Sequence, residues 1–135
     1  MTLPLTFAGT RIEAEWGDKH VHPLLRGIFT EVVEYAFPRW AWIPHITCIW
    51  RSQAEDAALA GHGIHPAWRA IDVRTRDVQP EAVADVVAWT NSRWVYDPAR
   101  PSMVVCYAKP HGTGPHAHFQ VCAMTALRSA TGGAA

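Results

Sequence analysis

The sequence predicts an α+β fold: one small mixed or antiparallel sheet with helices packed on one face. Three observations predict it. Two segments, 24–35 and 83–94, carry apolar residues at helical spacing. Between and after them lie short runs rich in β-branched and aromatic residues: HITCIWR, RAIDVRT, SMVVCYA and HAHFQVCAM. The last two runs are joined by the loop KPHGTGP, short enough to place them side by side and antiparallel.

Taken in order, residues 1–20 are mixed, with a short strand at Leu3–Phe7. His22-Pro23 opens a helix in which Leu24, Ile28, Val32 and Tyr35 recur beside Leu25 and Phe29, and Pro38 should end it. RWAWIP reads as a connector, and residues 45–51 as a strand. Ser52 caps the short helix QAEDAALA, with Glu55 completing a capping box and Gly61 stopping it. GHGIHPAW is a loop and RAIDVRT a strand. Asp77 through Pro80 starts the second long helix, whose buried face is Val83, Val86, Val87, Thr90 and Trp94. A proline-bounded turn at 96–101 precedes the last two strands.

The 135 residues suit one domain, and 49% hydrophobic residues with seven tryptophans supply a core. We place the domain at 1–126 and a flexible, small-residue tail at 127–135. Twelve basic and twelve acidic residues cancel, which argues against nucleic acid or an anionic membrane as partner. No apolar run is as long as a membrane span. The N-terminal MTLPLTFAGTRIEAEW lacks the basic and apolar regions of a signal peptide, so cytoplasmic synthesis is expected. Cys48, Cys106 and Cys122 show no CxxC spacing and read as buried free thiols of a reducing compartment.

The chemistry gathers in two segments. In HAHFQV, His116 and His118 stand two apart on a strand and therefore share a face. Neutral imidazole is the commonest metal ligand. Upstream, GIHPAWRAIDV places His65 in a loop and Asp72 in an apolar strand, where a carboxylate is costly unless paired. Asp72 is either exposed, paired with Arg74 or Arg51, or part of a two-histidine, one-aspartate site for a divalent metal with a position open to water. His20 and His22, just before a helix, suit capping or exposure, and His45 beside Pro44 suits a structural role.

GIHPAWRAID resembles the SxHxxGxAxD pattern of the LAS metallopeptidases, which include D-alanyl-D-alanine carboxypeptidases and phage L-alanyl-D-glutamate endolysins. His65, Ala70 and Asp72 stand on the pattern; Gly63 replaces its serine and Trp68 its glycine. GPHAHFQV resembles the family's later HxH, and the order of elements from residue 43 to 122 is similar. The resemblance implies a LAS/hedgehog-like fold with zinc held by His65, Asp72 and His118. It further implies proton handling by His116 and an Arg51 aimed at the substrate's oxygen. Where family members carry a carboxylate three residues before the last ligand, this chain has Pro115, and Thr113 stands where a further histidine precedes the pair. His111 and His62 are further imidazoles for the proton role.

The expected function is a zinc-dependent peptidase acting on peptidoglycan stem peptides at a bond involving a D-amino acid. Such an enzyme suits a phage product reaching the cell wall or riding in a virion with other virion proteins. The alternative is a non-catalytic zinc-stabilised module of phage structure or assembly, favoured by Pro115. A mononuclear iron oxygenase fits less well, because its histidine and carboxylate stand closer together. A domain with no metal is the remaining reading.

Overall fold

The computed structural model describes residues 2–110 and 114–129. Its elements are β1 (Thr6–Phe7), α1 (Thr10–Trp16), α2 (Pro23–Trp40), β2 (His45–Cys48), α3 (Gln53–Ala58), β3 (Ala70–Arg74), α4 (Pro80–Arg93), β4 (Trp94–Val95), β5 (Cys106–Lys109), β6 (His116–Gln120) and β7 (Ala126–Leu127). Five strands form one sheet in the order β1-β2-β3-β6-β5, and β4 pairs with β7 in a separate ribbon. Only β1–β2 is parallel in the larger sheet. The architecture is the mixed α+β domain expected.

Alternation along the strands explains the layering. Ile46, Ile71, Val73, Ala117, Phe119 and Cys106 are buried on one face, where α2 and α4 cover them. From α2, Leu25, Ile28, Phe29, Val32 and Val33 are buried against that face, and Phe29 meets Phe119 edge-on with ring centroids 5.4 Å apart. The opposite face carries Asp72, Arg74, His116 and His118, because they occupy the intervening positions. Apolar burial on one face thus frees the other for chemistry. No helix among the described residues is long and apolar enough to cross a membrane.

Several local expectations need correction. α2 runs past Pro38 to Trp40; Pro38 and Glu34 are both exposed, so the carbonyl that loses its partner lies on the solvent side. The mixed N-terminal stretch contains α1, and the first strand shrinks to Thr6–Phe7. Trp94 belongs to β4 rather than to the buried face of α4, where Ala82, Val86 and Thr90 are the buried residues. Leu127, assigned to the tail, pairs with Trp94; the rest of the tail from residue 130 lies outside the described residues.

Candidate metal centre

β3 and β6 put Asp72 directly opposite His118. His65 arrives from the loop before β3, and that loop is tied down by α3. The Asp56 carboxylate, buried by its neighbours, accepts from Gly63 N (2.8 Å) and Arg51 Nε (2.6 Å), linking the loop to the end of β2. Gly63 and Trp68 both take left-handed backbone (φ 82° and 60°). Of the two, only glycine adopts this conformation without strain. Here the tryptophan is held by stacking between Trp50 and His20, at centroid distances of 5.7 and 5.5 Å.

The hydrogen bonds fix the tautomers. Gln120 Nε2 donates to Val104 O at 2.8 Å, so its Oε1 is the atom 3.1 Å from His118 Nε2. An amide oxygen only accepts; His118 Nε2 must carry a proton. His65 Nδ1, 3.0 Å from the carbonyl of Ile49, must carry one too. In neutral rings the opposite nitrogens are then lone pairs. Each faces Asp72: His118 Nδ1 lies 2.7 Å from Oδ1, and His65 Nε2 lies 3.2 Å from Oδ2. The second contact is within ion-pair reach but off hydrogen-bond geometry, which leaves the fully buried His65 Nε2 without a bonding partner. Two nitrogen acceptors and a carboxylate converge, and only positive charge between them makes the arrangement favourable.

Protons meet that need in the metal-free protein. Burial pushes His65 toward its neutral form, but the Asp72 carboxylate and the adjoining Cys48 outweigh it and raise its pKa from 6.5 to about 10. Burial likewise pushes Asp72 up, and the rings of His118 and His65 overcome it, holding the carboxyl far below the usual range. A divalent cation would meet the same need. Metal-ligating histidines commonly donate their far N–H to a carbonyl or carboxylate, as both rings do here.

Cys48 joins the cluster through an irregularity in β2. The pairing steps from Ile46↔Val73 to Cys48↔Asp72, two residues on β2 against one on β3. The extra residue is a β-bulge. In regular alternation Cys48 would share the core face with Ile46; the bulge sets it opposite Asp72, with Sγ 3.5 Å from His65 Nδ1. Ligand atoms of Cys48, His65 and Asp72 lie within 4.8 Å of one another, a group that could hold a metal ion. Cys48 is half-buried and faces the site, whereas Cys106 is buried and its thiol is pushed well above the usual range by burial, as expected of a core thiol.

A cavity of about 390 Å³ opens beside the cluster, lined by Cys48, Trp50, Arg51, Asp72 and residues of α1 and α3. Arg51 lines this cavity and is anchored at Nε to Asp56. His116 shares the face of His118 but lies two residue pairs along, opposite Arg74 and Lys109. Its Nδ1 bonds Gly114 O at 2.8 Å, and it lines a neighbouring cavity rather than this one. His62 is exposed in its loop, and His111 lies outside the described residues. His22 caps α2, its Nδ1 accepting from Leu24 N, in keeping with the capping role.

Sequence reasoning missed Cys48, Asp56 and Gln120. Gln120 was findable, two residues after His118 on the same strand face. Comparison with family models, curated proteins and solved structures gave no match. The donor set, imidazole nitrogens with one carboxylate and a nearby thiol, could hold a metal ion.

Proposed function

We propose that the domain is a zinc-dependent peptidase of LAS type, hydrolysing peptidoglycan stem peptides at a D-amino-acid bond. The observation that carries it is the convergence of His65 Nε2 and His118 Nδ1 on Asp72, each ring anchored by its far nitrogen. In this reading His65, Asp72 and His118 hold the zinc. A zinc ion at such a site supplies a water of lowered pKa and polarises a carbonyl. Arg51 lines the adjacent cavity, and a guanidinium suits an oxygen that becomes negative during reaction. His116 stands one same-face step from His118, roughly 6.6–7 Å along the strand, within reach of a water-relayed proton. Substrate class and a cell-wall or virion setting come from the resemblance in GIHPAWRAID and GPHAHFQV.

A second reading, a non-catalytic zinc module, is favoured by two observations. Cys48 groups with His65 and Asp72, and with His118 opposite Asp72 it would make a fourth protein donor, the mark of structural zinc sites. Pro115 also replaces the carboxylate expected of the catalytic members. Metal content and hydrolysis of stem peptides by the wild type, His65→Ala, His118→Ala and His116→Ala separate the readings. The peptidase reading expects about one zinc, lost in the first two variants, and hydrolysis lost in His116→Ala with zinc retained. Zinc without hydrolysis of any stem peptide assigns the non-catalytic module. No zinc after reconstitution overturns both.

A further inference from the structure

A second cavity, of about 410 Å³, lies beside the first on the same sheet face. His45, Arg74, Arg76 and His116 line it, and no carboxylate among the described residues does. Asp77, outside the lining, lies 2.7 Å from Arg74 Nη2 and 4.0 Å from Arg76 Nε. Two guanidiniums against one carboxylate leave a surplus positive charge. His45 feels it: burial first, then Arg74 and Arg76, push its pKa down, with Asp77 opposing. Thr6 Oγ1 holds His45 Nδ1 at 2.8 Å, and His45 Nε2 has no hydrogen-bond partner among the described residues. The pocket therefore combines two forked cations with a ring nitrogen left over for a ligand.

Its place in the sheet gives it meaning. Arg74 pairs with His116 just as Asp72 pairs with His118, so the pocket is the next same-face step along β3 and β6. Such steps are about 6.6–6.8 Å. The two cavities share Ala8 and Thr47. One extended residue spans roughly 3.5 Å, so a single residue with contacts at both ends fits between the clusters.

We propose that Arg74 and Arg76 form an oxyanion-binding subsite that takes the terminal carboxylate of a peptide whose preceding carbonyl lies at the His65–Asp72–His118 cluster. Arginine suits this task because its planar fork matches a carboxylate with two parallel hydrogen bonds. The subsite would direct cleavage to the last residue of the substrate. The assignment to a peptide terminus rests on the peptidase reading; affinity for an oxyanion does not.

The test uses the metal-free full chain, so that it is independent of hydrolysis. N-acetyl-D-alanine, its carboxamide and inorganic phosphate are titrated while the imidazole signals of His45 and His116 are followed by NMR. We expect N-acetyl-D-alanine to shift these signals, its amide to leave them unmoved, and Arg74→Gln or Arg76→Gln to weaken binding about tenfold or more. Both arginines are partly exposed, so the variants should fold, which the unchanged remainder of the spectrum verifies. Equal binding of acid and amide, or of wild type and variants, overturns the subsite. Phosphate binding without N-acetyl-D-alanine binding overturns the peptide assignment. Absence of hydrolysis alone strikes the peptidase reading and leaves this result standing.

Discussion

Replacing Gln120 by methionine isolates the bonds that set the tautomer of His118. The residue is 2% exposed, and methionine fills a similar volume without hydrogen-bonding strength. Two groups lose a partner: the buried His118 Nε2 proton and the Val104 carbonyl, which belongs to an exposed residue and can turn to water. An orphaned buried group costs about 1–3 kcal/mol and a solvent-reachable one much less, so we expect a loss of about 1–3 kcal/mol. At this chain length that lowers Tm by roughly 3–12 °C. The sharper consequence concerns metal. With no acceptor holding the Nε2 proton, His118 no longer presents a committed lone pair at Nδ1, and zinc affinity should fall about 10–100-fold. Thermal unfolding measures the first effect, chelator competition the second, and imidazole nitrogen shifts report the tautomer directly. A variant that loses stability but keeps both its His118 tautomer and its zinc affinity would falsify the argument, leaving Gln120 a packing residue.

Other expectations follow from the same geometry. The pKa of His65 is raised from 6.5 to about 10 in the folded metal-free protein. Its stabilisation is therefore fully present below pH 6.5 and lost as pH rises through about 10; Tm of the metal-free protein should decline across that window, and saturating zinc should flatten the decline. Trp68→Gly should be more stable than Trp68→Ala by about 1 kcal/mol, because both lack the ring but only glycine takes φ 60° freely; equal stabilities would mean the loop relaxes. Cobalt substitution tests Cys48. An open catalytic site gives no sulfur-to-cobalt absorption and little change in affinity on Cys48→Ser, whereas a band abolished by that substitution assigns the closed site.

What the sequence showed, and what it hid, divides along the line between regular and irregular backbone. Period-two alternation in HAHFQV put His116 and His118 on one face, and the register of the folded sheet sets His118 opposite Asp72. The helical spacing from Leu24 to Tyr35 located α2. Cys48 was invisible for the converse reason. Alternation assigns it to the core with Ile46, and a single inserted residue reverses its direction without leaving a mark in composition. His116 was placed on the correct face, but alternation alone does not say which of two adjoining cavities a side chain enters. Asp56 looked like an ordinary helix residue, since its two partners, Arg51 and Gly63, come together only in three dimensions.

That last carboxylate also limits how the chain can vary. A Cβ added at Gly61 would collide with the Asp56 side chain, so the two positions share one small space. A side chain can enter at 61 only if residue 56 shrinks, and shrinking it releases both Arg51 and the loop that carries His65. Sequence drift here is coupled: the two sites must change together, in an order that keeps the arginine held at each step. Directed evolution of the cleft would do better to spare this pair and vary the exposed rim of α3, where Gln53, Ala54 and Ala57 face solvent.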